Sequence, residues 1–319
     1  MTNTRPKVLL TDHIHPQVRP LLDAHCDVIV APDSAPATIA RLIADVDALI
    51  VRNKLAPDVF DAATRLRAVV RHGVGLDMIP VDAATARRIP VANLPGSNTA
   101  AVVEYCIAAM LQLRRNLPAL DHRLRSDSWA TARPLADSGV ELRGSVLGIV
   151  GVGAIGARVA EVGAALGMRV LGLTRRPQHL PTGMVAALKD ELFAQADVVV
   201  LSCPLTETTR GLLDAATIAT MKPGAIVINV SRGPVIETAA LIAALKEGRL
   251  GGAALDVHDR QPLQPGEPVF DAPNLLLTPH VAGVTATSLL AMSQGAVDTV
   301  LALLRSEKPI NVVNPEVYV

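Results

Sequence analysis

Aromatic side chains are scarce: one Trp, two Tyr and three Phe among 319 residues. Any core must therefore be packed mainly from Ala, Val, Leu and Ile, which dominate an apolar half of the composition. Net charge is missing as well. Thirty basic residues balance thirty acidic ones and no basic tract occurs, which argues against nucleic acid or an anionic membrane as the main partner. No apolar segment is expected to approach the ~20 residues of a bilayer span. The start, Met1 to Lys7, leads straight into a strand-like Val8-Leu9-Leu10, without the apolar stretch of a signal peptide. Cys26, Cys106 and Cys203 are odd in number and lack metal-ligand spacing. They predict small buried residues in a reducing compartment, with no disulfide set, metal or nucleophilic thiol. The expectation is a soluble cytoplasmic protein, long enough for two domains with separate cores.

What the chain does have is a glycine-rich turn in a telling context. Val146-Leu147-Gly148-Ile149-Val150 reads as one buried parallel strand and ends in Gly151-Val152-Gly153-Ala154-Ile155-Gly156. A helix follows, with Ile155, Val159, Val162 and Leu166 predicted on one face. In a dinucleotide site the first glycine makes the turn, the second lets the backbone approach a pyrophosphate, and the third lets helix and sheet pack closely. Ala154, Ile155 and Gly156 would then offer free N–H groups at the positive end of the helix dipole. A second strand at 169–174 arrives at the distance such a unit requires.

Strand-like and helical runs alternate along the whole chain, which predicts an α/β fold with doubly wound parallel sheets. The first third has β-type runs at 8–10, 28–31, Ala48–Val51, Ala68–Arg71 and 91–94, with helical segments at 18–24, 37–44 and 57–63. After the fourth run comes His72-Gly73-Val74-Gly75-Leu76-Asp77, a turn whose bare glycine amides suit an anion such as a carboxylate. A mainly apolar helix is expected at 101–113, then a polar arm at 114–143 carrying Trp129, a plausible dimer contact. From Val146 onward six strands are expected, the later five at 169–174, 197–201, Ala225–Asn229, 253–256 and 275–278. The helix Ala286–Leu304 follows, and the strand-like tail at 309–314 is expected to return to the first domain.

In a site that prefers NADH, an acid ends the second strand and accepts from the ribose hydroxyls. Here Thr174-Arg175-Arg176 takes that place. Two guanidiniums can pair with a 2′-phosphate, so NADPH is favoured, with NADH as the alternative; otherwise both arginines are plain surface charge. Arg232, Asp256 and His280 stand at the ends of the late strands. Singly each has a bland explanation, as surface cation, turn cap and loop histidine. Together beside a cofactor loop they suit hydride transfer to a 2-oxo acid, the arginine clamping the oxygens and the histidine moving the proton.

The ordered motifs His72–Asp77, Gly96-Ser-Asn-Thr99, Gly151–Gly156, Pro204-Leu-Thr206 with Thr209, Asn229-Val-Ser-Arg-Gly-Pro234, Ala254-Leu-Asp-Val257 and Thr278-Pro-His-Val-Ala-Gly283 span nearly the whole chain. In these the chain resembles the D-isomer-specific 2-hydroxyacid dehydrogenases, the family of phosphoglycerate dehydrogenase and glyoxylate/hydroxypyruvate reductases. The resemblance implies a flavodoxin-like substrate domain, 1–97 plus 288–319, and a Rossmann NAD(P)-binding domain, 98–287. It implies that Arg232 binds substrate, that His280 is the acid/base, and that Asp256 meets the nicotinamide side. Thr99, Cys203, Pro204, Thr209, Val230, Ser231 and Gly283 join the glycine loop as cofactor contacts by the same resemblance. Val74 and Gly75 would offer amides to the substrate carboxylate. Substrate selectivity would involve Arg52-Asn53-Lys54, where a cation could receive a second anionic group or simply be surface charge. Closure of a cleft on binding and a homodimer formed through the cofactor domain are implied too.

One position departs from that family. The usual D-V-x-x-x-E-P becomes Asp256-Val-His-Asp-Arg-Gln261-Pro262. Gln261 can fix the tautomer of His280, but it brings no negative charge to the imidazolium. Asp259 or Glu267 are alternative carboxylates for that place. The Gln-Pro pair also resembles the formate dehydrogenases of the same superfamily, although their long N-terminal extension and their acid after the second strand are absent. A non-catalytic NAD(P) sensor, like the corepressors of the superfamily, is the rival from another class.

Overall fold

The computed structural model describes residues 5–318. Residues 1–4, which carry part of the signal-peptide reading, lie outside them. The chain divides into two compact units, one formed by the described residues up to Asn98 and from Val284 on, the other by Thr99–Gly283.

The first unit is built on a five-stranded parallel sheet. Its strands are β1 (Lys7–Leu10), β2 (Asp27–Val30), β3 (Ala48–Val51), β4 (Ala68–Arg71) and β5 (Val91–Ala92), in the order β2-β1-β3-β4-β5. Alternate residues feed two cores. Val8, Leu10, Ile50 and Val70 pack on one face, and Leu9, Leu49, Val51 and Val69 on the other, which is why these strands read as unbroken apolar runs. The predicted helix at 57–63 is instead a short 3-10 turn, Val59–Ala62. The tail does return to this unit, but as a single antiparallel bridge from Val312 to Ala92. Asn314 anchors it by accepting from the Val91 N–H at 2.7 Å.

The reading that no segment could span a bilayer needs correction for Ala286–Leu304, a 19-residue helix long and apolar enough by length and composition. Scattered Ser, Thr and Gln residues break its apolar run without making its average polar. Its Met292, Ala296, Val297, Val300 and Leu303 are buried in the core of the first unit, which accounts for the composition.

The same helix is latched to the turn after β4 by a buried polar pair. Ser293 Oγ accepts the His15 N–H at 2.9 Å and lies 2.8 Å from His72 Nε2. The serine proton is therefore available to an unprotonated Nε2. Burial, reinforced by the Arg52 charge, pushes the His72 pKa down to about 4. The neutral ring is thus the folded form. Its contribution is complete above the ordinary histidine value and is lost as the pH falls from about 6.5 towards about 4, by about 3 kcal/mol. Urea midpoints measured across that window should fall for the wild type and flatten for His72→Asn.

The second unit carries a seven-stranded parallel sheet where six strands were expected. Its strands are β6 (Val146–Val150), β7 (Arg169–Leu173), β8 (Met184–Ala186), β9 (Val198–Leu201), β10 (Ala225–Asn229), β11 (Leu250–Leu255) and β12 (Leu275–Leu277). The order β12-β11-β10-β9-β6-β7-β8 is doubly wound, reversing between β6 and β9. The missed strand is β8, a three-residue edge strand with one buried position. The helix Ala154–Ala165 also differs from its expected face: Gly156, Val159, Ala160 and Gly163 are buried, while Leu166 is exposed beyond its end. Ile155 and Val162 of the expected face pack against the same core as Val159; the small residues beside them let the helix pack closely and widen the buried stripe. All three cysteines are buried and free, and burial raises each thiol pKa.

Candidate active site

The glycine loop at the end of β6 is shaped for close approach. Gly151 has φ +91°, and a Cβ there would lie 2.5 Å from the Cys203 backbone. A Cβ on Gly156 would meet the Gly151 carbonyl at 2.3 Å, whereas one on Gly153 would find nothing within 4 Å. The helix Ala154–Ala165 starts there with no side-chain cap. Its first amides, from Ala154, Ile155 and Gly156, thus have no capping side chain at the positive helix end. That open cradle fits the diphosphate of a dinucleotide.

Thr174, Arg175 and Arg176 follow β7, with Thr174 Oγ1 accepting the Arg176 N–H at 3.2 Å. Both arginines are exposed, and among the described residues neither is in an ion pair. Beyond β9, the Thr209 hydroxyl donates to the Pro204 carbonyl at 2.7 Å and folds the 204–209 loop. Cys203 and Ser231 are buried side chains joining the ends of β9 and β10, the serine hydroxyl donating to the Cys203 carbonyl. Val230 donates its N–H to Leu201 at 3.1 Å in the same place. Thr99 and Gly283 are the residues at which the second unit begins and ends.

The polar trio stands where the strand ends place it. Asn229, the last residue of β10, latches the following turn: its amide donates to the Arg232 carbonyl and its oxygen accepts from Ser231, both at 3.0 Å. Half-buried Arg232 donates from Nη1 to the Ser231 carbonyl at 2.6 Å. Asp256 follows β11, is 2% exposed, and holds the next strand's turn. Its Oδ1 accepts from Thr278 Oγ1 and the Val281 N–H at 2.7 Å, and its Oδ2 from the Ala282 N–H at 2.9 Å. Tyr105 extends this chain, its hydroxyl lying 2.8 Å from Thr278 Oγ1, and burial pushes its pKa up to about 12. Tyr105 goes unmarked in the sequence and Thr278 stands in a motif without a role of its own, because each is an ordinary residue until the fold joins it to Asp256.

His280 sits in the left-handed region, φ +59°, which side-chain-bearing residues seldom occupy. Its Nδ1 lies 3.0 Å from Gln261 Oε1. An amide oxygen only accepts, so Nδ1 carries the proton and Nε2 is the basic nitrogen of the neutral ring. The two alternative carboxylates are engaged elsewhere: Asp259 accepts from Thr238 Oγ1 and Glu267 from the Gln264 N–H, each at 2.7 Å. Gln261 therefore takes the place beside the histidine.

In the first unit Arg71 organises the turn after β4. Its guanidinium donates to the carbonyls of Val51 (2.8 Å), His72 (2.9 Å) and Gly75 (3.2 Å). The reading that both glycines offer amides is corrected: Gly73 spends its N–H on the Arg71 carbonyl at 2.9 Å. Among the described residues the Val74 and Gly75 N–H groups have no such partner. Asn53 donates to the Thr11 carbonyl at 3.1 Å, and Lys54 is exposed. The Arg52 guanidinium already serves the His13 carbonyl and, at 3.5 Å, Asp12, so it is a paired cation.

Comparison with known proteins agrees with this arrangement. Residues 107–282 match the D-isomer specific 2-hydroxyacid dehydrogenase NAD binding domain. A glyoxylate reductase of Aeropyrum pernix is 36% identical over 98% of this chain and 97% of its own. A protein of Thermus thermophilus superposes with a TM-score of 0.88 at 33% identity, covering 96% of this chain and 99% of its own. An NADPH-dependent glyoxylate/hydroxypyruvate reductase of Sinorhizobium meliloti, solved with NADP and malonate, gives 0.86 at 29% identity and 97% coverage of both chains. By the match over residues 107–282 and the identity that runs through nearly the whole chain, the protein belongs to the D-isomer specific 2-hydroxyacid dehydrogenases, which are NAD(P)-dependent enzymes.

Proposed function

We propose that this enzyme reversibly reduces a small 2-oxo acid to the D-2-hydroxy acid and prefers NADPH to NADH. The observation that carries the reading is the tautomer set by the 3.0 Å contact between Gln261 and His280, in the same sheet as Arg232. The Ala154–Gly156 amides hold the diphosphate, Arg175 and Arg176 a 2′-phosphate, and Thr99, Pro204, Thr209, Val230, Ser231 and Gly283 line the remainder. When bound, the reduced nicotinamide supplies the hydride. Arg232 grips the carboxylate and the developing oxyanion. In its doubly protonated form His280 delivers the Nε2 proton to the carbonyl oxygen and returns to the neutral Nδ1–H ring, which Gln261 keeps oriented. The first unit acts as the substrate domain, its Val74 and Gly75 amides donating to an anionic group; the second is the cofactor domain.

The direct test is oxidation of each reduced cofactor with glyoxylate, hydroxypyruvate and pyruvate. Turnover should appear with at least one acid, and kcat/KM should favour NADPH by about tenfold or more. Changing Arg175 and Arg176 together to Ser should raise KM for NADPH about 10–100-fold, the loss expected for charged hydrogen bonds, and leave NADH little changed. A preference for NADH, or tight cofactor binding without turnover on a broad panel, speaks against the reading. The relative solved with NADP supports the NADPH assignment.

Association into a homodimer through the cofactor domain is also part of this reading. Leu117, Leu124, Trp129, Leu135 and Val140 are exposed on one segment of that unit, Trp129 by 73%, and an apolar face of this kind suits a subunit contact. Sedimentation equilibrium should give a mass near twice that of the chain and a monomer for Trp129→Asp; a wild-type monomer at micromolar concentration counts against it.

A further inference from the structure

His258 lies outside every role assigned so far, yet its contacts reach both catalytic turns. Its Nε2 is 3.0 Å from the Thr278 carbonyl, which can only accept, so that nitrogen carries the proton. The same carbonyl accepts the backbone N–H of His280 at 3.0 Å, the contact that accompanies the left-handed φ of +59° at that residue. From the other side, the Gln261 amide donates to the His258 carbonyl at 3.5 Å while its oxygen meets His280. The His258 backbone also forms the floor under Gly233, where a Cβ would lie 2.1 Å from it, immediately beside Arg232. Half-buried His258 is therefore fastened by its ring to the histidine's turn, and by its backbone to the glutamine and to the arginine's turn.

We propose that His258 is a positioning residue: its imidazole, through the Thr278 carbonyl, holds His280 in the backbone conformation from which the ring meets Gln261. The proposal rests on reading His280 as the proton carrier. A carbonyl with one lone pair engaged by its own turn and the other by a neighbouring ring is fixed in direction; it orients the Thr278–Pro279 peptide and anchors the N–H of His280 two residues on. The donor is needed in one place only, the position of Nε2. Glutamine extends its amide nitrogen to about that place, and phenylalanine fills the space with no donor.

The test compares His258→Phe and His258→Gln with the wild type in three measurements. The first is kcat and KM with NADPH and the best acid of the panel. The second is the thermal midpoint. The third is the imidazole ¹⁵N spectrum of the protein without substrate, which reports which nitrogen of His280 bears the proton. His258→Phe should lower kcat about tenfold, the weight of one lost hydrogen bond, leave KM for NADPH unchanged, and mix the two His280 tautomers. His258→Gln should restore most of the rate and the single Nδ1–H tautomer. The proposal is overturned if His258→Phe keeps the wild-type spectrum. It is equally overturned if rate, cofactor affinity and thermal midpoint fall together with no recovery in His258→Gln, the mark of a merely structural residue. Should the wild type turn over no 2-oxo acid while the spectra behave as described, positioning stands and the proposed activity falls.

Discussion

A His280→Asn variant is expected to lose about 10²–10⁴-fold in kcat, the range by which positioned acid–base groups contribute, with KM for NADPH little changed. Asparagine is the informative replacement because His280 has φ +59°, and asparagine tolerates the left-handed region better than most residues. The backbone of the turn is then kept and only the proposed proton carrier is removed. Single-turnover reduction of the preferred acid measures the loss; a variant within a few-fold of wild type would remove His280 from the chemistry. Gln261→Glu is the companion change. At 3.0 Å from Nδ1, a carboxylate attracts the positive ring where the amide does not, so the alkaline limit of reduction should move upward by about one pH unit. An unchanged profile would mean that another group governs that limit.

Arg232→Met is expected to cost about 10²–10³-fold in kcat/KM, comparable with the loss of a donor to a developing oxyanion. Both KM for the acid and kcat should suffer, because in the proposed role one guanidinium serves carboxylate and carbonyl oxygen. Its Nη1 donates to the Ser231 carbonyl at 2.6 Å, which fixes the fork before any substrate arrives. Arg232→Lys keeps the charge without the fork and should recover only part of the rate. Steady-state kinetics over a range of acid concentrations separates the two parameters. Full recovery by lysine would mean that charge alone matters at this position, and an unaffected Met variant would exclude Arg232 from substrate binding.

The glycine loop was legible because its mechanics are local: a strand, three glycines at fixed spacing and a helix start lie within about a dozen residues. Strand ends were legible for a similar reason, since buried parallel strands are short apolar runs and ligands gather at their carboxyl ends. Edge and interface features were harder to read. Strand β8 has only one buried residue, so no apolar pattern announces it. The helix after the glycine loop buries Gly156, Ala160 and Gly163, whose small size is the adaptation to close packing and hides them from a search for large side chains. In the first unit, Gly73 has the look of an amide donor, yet its N–H is spent on the Arg71 carbonyl.

By itself the sequence determined two parallel α/β sheets, a nucleotide loop and the identities of an arginine, an aspartate and a histidine at successive strand ends. Periodicity and glycine spacing encode those features within short stretches of chain. Only the tertiary structure decided how the residues are coupled: Tyr105 to Thr278 across 173 positions, Thr278 to Asp256, and His258 and Gln261 to the turn of His280. Hydrogen bonds of that kind depend on which strand lies beside which and on the direction of each carbonyl. Those relations arise when β10, β11 and β12 align in register, and no local pattern of residues carries them.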